Sequence, residues 1–505
     1  MILQIPVVMQ GSCYNLFIMN RLGSSVNQSF VGREKELDEL TSLLAEDGAQ
    51  QVLVFGRRRV GKTTLLIHWA QQTGLPMIYW VATREPPAQL RRSFMRALWG
   101  SLHPDRQAVP QFDSWEEVLE TAAAGIGDRR LILIMDEFSY AAESDPGLPS
   151  NLQAAWDHSF KNSNIFLVLM GSHVGVMEGL KNYDAPLYGR FTAQLPVDPL
   201  PFAALSEFLP RYETAELVAV YSIVGGIPGY LERFDGSQTI GENIKRLFVR
   251  RTGMFRSEPF LLVGDVLRRE VQTYESILRA IAEGAHSPHE IGSKLEQPSS
   301  YLSHYLKQLE KLHLIERRLP ALLPPEKRAT SKQSRYHLKD PYLRFYFRFI
   351  APNLDAIERD LPELLWERIA EQFRAFIGMT AFEDLAREWV LARARAGKLG
   401  FLPEIVGSHW TTAAQIDVVA ANWRDRILLL GECKWGTDPV RRPVILELEE
   451  KARAVIPADD WRVRYVYFGR GGFTEAAREE GKRLNAELID LARLASDLRA
   501  GDGSA

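Results

Sequence analysis

Cysteine is scarce in this sequence. Only Cys13 and Cys433 occur in 505 residues. They lie far apart, in unlike contexts and without metal-ligand spacing. A disulfide framework is therefore not expected, and a reducing, cytoplasmic compartment fits best. Long apolar runs are also missing. No segment approaches the ~18 uninterrupted apolar residues that a membrane span needs, so no membrane partner is expected. The opening stretch MILQIPVVMQGSCYNLFIMN is mildly apolar, but it lacks a basic leader and is broken by Gln, Gly, Ser and Asn, which makes a poor signal peptide. It reads as a tail over 1–28, or as a start placed too early with Met19 the true beginning. There is no internal repeat and no long low-complexity tract. Charge of one sign is not in excess either. The net charge of −3 argues neither for nor against nucleic acid, so its distribution matters more. What is present is enough apolar residue, 46%, to build ordinary cores, in a length that suits roughly two to four domains.

Short β-rich runs alternate with amphipathic helical patterns from Phe30 to about Asp265. The runs are QVLVFG (51–56), MIYWVA (77–82), RLILIMDE (130–137) and NIFLVLMG (164–171). Continuous apolar strands between such helices predict a parallel sheet covered on both faces. Between the first strand and its helix, Gly56-Arg57-Arg58-Arg59-Val60-Gly61-Lys62-Thr63 fits the phosphate-loop pattern G-x-x-x-x-G-K-S/T, in the context that confirms it. The glycines let main-chain N–H groups curl around phosphate oxygens. The helix start adds its positive dipole end. Lys62 suits the β- and γ-phosphates, and the Thr63 hydroxyl suits Mg²⁺. Thr64 belongs to the same expected ATP-binding set.

The run LILIMDEF supplies the second half of such a site. Asp136 emerges at the strand's end, where it can hold a Mg²⁺ shell, and Glu137 can orient or deprotonate the attacking water. A capping pair at a strand end is the plain alternative. Ser172, after the next strand, can fix that water against the γ-phosphate, whereas His173 reads as an ordinary loop histidine. Arg190 can reach a γ-phosphate in its own subunit or a neighbour, or can be a packing arginine.

FVGREKELDEL (30–40), the phosphate loop, MDEF, GSHVGVME, APLYGRF and GGIPGYL (225–231) occur in an order that resembles the archaeal-type P-loop ATPases of the AAA-like, signal-transducing group. The resemblance covers nearly the whole chain. It implies that Phe30, Val31, Gly32 and Arg33 lie near the adenine, and that Gly226 and Pro228 shape a lid over the nucleotide. The arginine triplet 57–59 is usual in that family.

From about Val271 to Phe349 three helix candidates precede a polar-aromatic strand pair, 315–322 and 334–340, which predicts a winged helix-turn-helix. In the third helix Leu302, Leu306 and Leu309 face inward at i, i+4, i+7, leaving Ser300, Ser303, His304 and Lys307 outward. Between Arg317 and Arg348 nine Lys/Arg face two Asp/Glu, a footprint suited to DNA or RNA. A fold used only for docking a protein is the competing reading.

A long helix is expected over 375–396. Strands then carry Asp417 (AQIDVVAAN) and Glu432-Cys433-Lys434 (RILLLGECKW). Alternation puts Glu432 and Lys434 on one face and Cys433 toward a core. Two carboxylates suit a hard Mg²⁺ ion, Lys434 can stabilise a phosphate or position water, and Glu383 on the preceding helix can add a third carboxylate. This order resembles the PD-(D/E)xK nuclease superfamily, with Ile416 in place of the proline. The site either cleaves nucleic acid or only binds it.

The expected organisation is a tail 1–28, an α/β P-loop core 29–200, a helical lid 201–268, a winged helix 269–350, a linker helix 351–374, a restriction-endonuclease-like domain 375–496 and a tail 497–505. The leading expectation is a Mg-dependent ATPase that engages DNA, with ATP ordering the lid. A regulatory switch with a vestigial nuclease site is the alternative, and a homo-oligomer or partner protein is compatible with both.

Overall fold

The computed structural model describes residues 30–103, 105, 108–264 and 270–502. The expected N-terminal tail, with Met19 and Cys13, lies outside the described residues. The chain divides into two compact units, one ending at Pro199 and the other beginning at Leu200.

The first unit is built on five parallel strands: β1 (Gln50–Phe55), β2 (Met77–Val81), β3 (Leu131–Asp136), β4 (Ile165–Gly171) and β5 (Ala193–Pro196). Their order is β2-β3-β4-β1-β5. Every residue of β1, β3 and β4 is buried, as expected for strands covered by helices on both faces. Four of the strands follow the apolar runs in the sequence. β5 does not, because it has four residues, exposes two of them and ends in proline. Its edge position, paired only to β1, tolerates a residue without an N–H donor.

The second unit opens with short helices, among them Thr214–Val224, Pro228–Leu231 and Ile240–Ile244. Aromatic rings then tie this stretch to the helix Pro341–Phe345: Tyr342 packs 5.2 Å from Tyr230 and 5.9 Å from Phe248, centroid to centroid. Helices Val271–Ala282, Pro288–Leu295 and Ser299–Lys311 precede an antiparallel pair, β6 (Ile315–Arg318) and β7 (Arg335–Leu338). Ser287 caps the second helix with a reciprocal Glu290 bond, while left-handed Gly284, at φ 101, follows the end of the first.

One expected boundary shifts. The helix read as 375–396 is the continuation of Pro362–Ile377, through a wide π turn at Gly378–Phe382, into Glu383–Arg395. In that turn the Thr380 hydroxyl donates to the Phe376 carbonyl at 2.6 Å. Such local loosening of the backbone ladder leaves no mark in apolar spacing. A mixed sheet comes next: β8 (Ile405–Trp410), β9 (Gln415–Asn422), β10 (Ile427–Lys434), β11 (Arg462–Gly469) and β12 (Glu487–Asp490). β8, β9 and β10 pair antiparallel, while β10, β11 and β12 pair parallel. The stretch expected as a tail from 497 is helical to Asp502, and Asp497 accepts the Trp389 indole N–H at 2.7 Å.

Gly226 shows how closely the backbone packs in the second unit. A Cβ there would sit 1.7 Å from the Leu200 carbonyl oxygen, whose residue also donates its N–H to the Gly226 carbonyl at 2.7 Å. Backbone cannot swing aside as a side chain can. Gly226→Ala is expected to destabilise the protein by about 2–3 kcal/mol or more, measured by denaturant unfolding, and a midpoint like that of the parent would show that the backbone at Leu200 yields.

Candidate functional site

The phosphate loop joins β1 to the helix Lys62–Thr73. Its shape follows from two left-handed residues, Arg59 at φ 66 and Gly61 at φ 96. Gly56 is required by packing, since a Cβ would fall 2.3 Å from the Val197 carbonyl oxygen just beyond β5. Lys62 is buried and donates to the carbonyls of Gly56 at 2.8 Å and Arg57 at 3.1 Å. Burial lowers its pKa, while Glu137 and Asp136 pull it back up. Arg33, in a left-handed conformation beside left-handed Gly32, reaches Val60 O at 3.0 Å and pairs with Glu36 at 2.6 Å. Phe30 stacks on His68 of the loop's helix with centroids 4.0 Å apart. The segment 30–33 is therefore fastened to the phosphate loop. Thr64 is exposed, and Arg57, Arg58 and Arg59 are half-buried.

The acidic pair meets the loop. Thr63 Oγ1 donates to Asp136 Oδ2 at 3.0 Å, and Tyr79 from β2 donates to the same oxygen at 2.5 Å. Asp136 Oδ1 accepts the Glu137 N–H at 2.7 Å. The Asp136 carboxyl is pushed up to about 6, first by burial and then by Glu137, against Tyr79, Lys62 and Thr63. The Tyr79 hydroxyl is raised by burial and by Asp136. A buried carboxylate beside a second acid and a hydroxyl is a donor set that fits a hard divalent cation. Glu137 is left-handed at φ 51. Its carboxylate accepts the Ser172 N–H at 3.2 Å and the Ser172 hydroxyl at 3.0 and 2.8 Å. Ser172 thus holds the candidate base itself. His173 is buried, with Nδ1 3.1 Å from Glu143 Oε1, so it is not an open loop histidine. Arg190 is engaged by Asp157 at 2.8 Å and by the carbonyls of Pro186 and Tyr188.

In the second unit the acids of β9 and β10 come together. Asp417 Oδ2 accepts the Cys433 N–H at 3.0 Å. Its carboxyl is pushed up to about 6 by burial and then by Glu432. Glu432 is 5% exposed and accepts Lys434 at 2.7 Å and Lys451 at 3.2 Å. Glu383, pushed up to about 8 by burial and then Asp417, pairs with Arg387 at 3.4 Å. Arg387 also donates to the Asp417 carbonyl at 2.8 Å and to Asp384 at 2.6 Å. Cys433 is half-buried rather than in the core, and burial followed by Asp417 and Glu383 raises its thiol. Among the described residues, no group of three or more His, Cys, Asp or Glu side chains is placed to hold a metal ion. Asp417 and Glu432 remain as a carboxylate pair.

Part of the basic footprint is spent internally. Arg318 and Arg344 converge on Asp384 at 3.4 and 3.1 Å. Against burial, Arg344, Arg387 and Arg318 hold that carboxyl well below the usual carboxylate range. Arg335 stacks over Trp410, and Arg348 donates to Gln372 at 2.8 Å. Arg317, Lys327, Lys332 and Lys339 stay exposed, as do Ser300, Ser303, His304 and Lys307. Tyr79, Arg387 and Lys451 were not singled out by sequence. A lone tyrosine in an apolar strand was the only available signal for the first, and the other two reach their partners through helix packing.

A family model for an ATPase domain predominantly from Archaea matches residues 30–234. A second model, described as archaeal and bacterial proteins of unknown function, matches 346–452. An uncharacterized protein of Methanocaldococcus jannaschii is 31% identical over 466 residues, covering 92% of this chain and 100% of that protein. The chain belongs to this archaeal ATPase family. Solved structures similar to it include the Walker-type ATPase of Pyrococcus abyssi, 21% identical over 64% of this chain and 97% of that one with a TM-score of 0.46. Another is the ORC2 protein of Aeropyrum pernix in ADPNP–ADP complexes, 15% identical over 66% of this chain and 97% of that one with a TM-score of 0.41. The family's ATPase domain contains the whole Thr63–Asp136–Glu137–Ser172 constellation, and its second matched segment contains Asp417, Glu432 and Lys434. Among the described residues no helix is long and apolar enough to cross a membrane.

Asp136 carries a pH dependence with a definite sign. Its folded value lies above that of an unfolded chain. The stability tied to its neutral form is therefore fully present below about pH 4 and is lost as pH rises through about 6. A shift of that size corresponds to about 3 kcal/mol. Asp136→Asn is expected to raise the melting temperature of the nucleotide-free protein above pH 7 and to change it little at pH 4. Equal changes at both pH values in thermal melts would remove Asp136 as the source.

Proposed function

We propose that this protein binds ATP with Mg²⁺ and hydrolyses it, and that it engages DNA through its three-helix-and-hairpin segment and its C-terminal carboxylate-bearing sheet. The observation that carries the first half is the direct bond between Thr63 and Asp136, 3.0 Å long, with Glu137 held beside it by Ser172. Phosphates would be gathered by the N–H groups of residues 57–62 and the dipole end of the helix they open. Lys62 would exchange its carbonyl partners for the β- and γ-phosphates. Thr63 and Asp136 would hold Mg²⁺, which when bound neutralises charge on the transferring phosphate. Glu137 would take the proton of the attacking water while Ser172 keeps its carboxylate oriented. Arg190 would serve as a phosphate-contacting arginine only after leaving Asp157.

The second half is supported by the outward Ser300, Ser303, His304 and Lys307 on the helix Ser299–Lys311 and the exposed Arg317, Lys327, Lys332 and Lys339 around β6 and β7. Phosphate contacts of this kind give affinity that falls with salt. The C-terminal carboxylates then form a nuclease-like site on the same unit. A regulatory reading, in which that site is vestigial, is favoured by one observation: Glu432 is taken up by two lysines.

Lys62→Ala is expected to abolish ATP binding, measured by calorimetry or a fluorescent analogue. Tight binding by this variant would count heavily against the assignment. Glu137→Gln should bind ATP but hydrolyse it about 100-fold more slowly or worse, and unchanged turnover would remove Glu137 from the role. DNA affinity should fall with rising salt, with a shallower slope for Lys327→Ala/Lys332→Ala. A flat salt dependence in the parent protein would exclude the basic segment as a phosphate reader.

A further inference from the structure

Lys451 is the least expected member of the C-terminal site. It lies outside the strand pair, on the helix Arg442–Val455, yet its Nζ is 3.2 Å from Glu432 Oε2 and 3.4 Å from Oε1. Lys434, two residues beyond Glu432 on β10, holds Oε1 at 2.7 Å. One buried carboxylate therefore carries two ammonium groups from two different elements. Asp417 adjoins from β9, with an oxygen bound by the Cys433 N–H at 3.0 Å. Lys451 has a further contact with Glu447 at 2.9 Å, but that glutamate side chain is 55% exposed, and pairs of that kind are weak.

This arrangement has a consequence for binding. A divalent cation taken by Asp417 and Glu432 must use carboxylate lone pairs that now accept from the lysines. Lys434 and Lys451 would then lose Glu432, Lys451 keeping only the exposed Glu447, and donors freed in this way can be taken up by another anion. A nucleic-acid phosphodiester brings anionic oxygens that accept charge-assisted hydrogen bonds. Without the cation, Glu432 competes with the phosphate for the same donors.

We infer that Lys451 is a second phosphate-binding lysine of the C-terminal site, masked by Glu432 until a divalent cation takes that carboxylate, so that cation and phosphodiester binding reinforce each other. The inference rests on the reading of Asp417 and Glu432 as a cation site. Because the coupling is an equilibrium property, it is reciprocal: DNA tightens the cation as much as the cation tightens DNA.

The test uses the full chain without nucleotide. Affinity for a short mixed-sequence DNA duplex is measured by fluorescence anisotropy in Ca²⁺ and in EDTA at matched ionic strength, and Ca²⁺ binding is measured separately by calorimetry. The ratio of the two DNA dissociation constants is the readout, since contacts made elsewhere on the protein contribute to both and cancel. The parent protein should show roughly a fivefold or greater gain in Ca²⁺. Lys451→Gln should bring the ratio close to one, and Lys451→Arg, which keeps the charge, should restore most of it. A parent-like ratio in Lys451→Gln overturns the role of Lys451. A parent ratio of one, with Ca²⁺ binding detected and lost in Asp417→Asn, overturns the coupling. No Ca²⁺ binding by the parent protein overturns the cation-site reading itself.

Discussion

Parallel strand direction is the constraint on which the first unit depends. β3, β4 and β1 lie side by side and run the same way, so their C-terminal ends emerge at one edge of the sheet. β1 delivers the loop that begins at Gly56, β3 delivers Asp136 and Glu137, and β4 between them delivers Ser172. Three segments far apart in sequence thereby meet within hydrogen-bond distance. The meeting is electrostatically tense. Asp136 is 5% exposed and has an acid next to it, and only hydroxyls, an amide and a buried lysine offset its charge. Such an environment favours the arrival of a cation, because a cation relieves both the burial and the like-charge repulsion.

The second unit handles charge differently. Buried Glu432 and the part-buried Glu383 and Asp384 have cations already in place. Asp384 gathers arginines from β6, from the helix Pro341–Phe345 and from its own helix, and Arg387 passes the connection on to Glu383 and the Asp417 carbonyl. This satisfies the rule that buried charge is paired. It also means that the carboxylate site and the basic hairpin share one set of ion pairs. Positive charges that look available in a linear count are divided between those that hold the unit together and those left exposed.

The phosphate loop, the acidic strand end and the order of strands and helices were legible because each rests on short-range chemistry. Gly56, Gly61, Lys62 and Thr63 act through backbone freedom and a helix start that are contiguous in the chain. Apolar runs that are buried on both faces mark β1, β3 and β4 without ambiguity. The pairing of β9 with β10 was equally readable, since a tight turn joins them and period-two alternation sorts their side chains. What failed to show lacked a strong apolar pattern or broke its hydrogen bonding: β5, whose four residues are half exposed, β8, with a single buried residue, the four-residue β12, and the π turn at Gly378–Phe382, where apolar spacing continues through a change in hydrogen bonding.

Partnership was decided by the fold alone. Whether Ser172 would face a phosphate or Glu137, and whether Arg190 would be open or tied to Asp157, depends on loop conformation beyond any local pattern. Lys451 reaches Glu432 only because the helix Arg442–Val455 packs across the C-terminal sheet. Tyr79 reaches Asp136 only because β2 lies beside β3. Residue order dictates which groups can bind phosphate or metal, since that is a property of the side chain and its neighbours in the chain. Which charges oppose one another in a low-dielectric interior is a matter of distance across elements, and distance is set by packing.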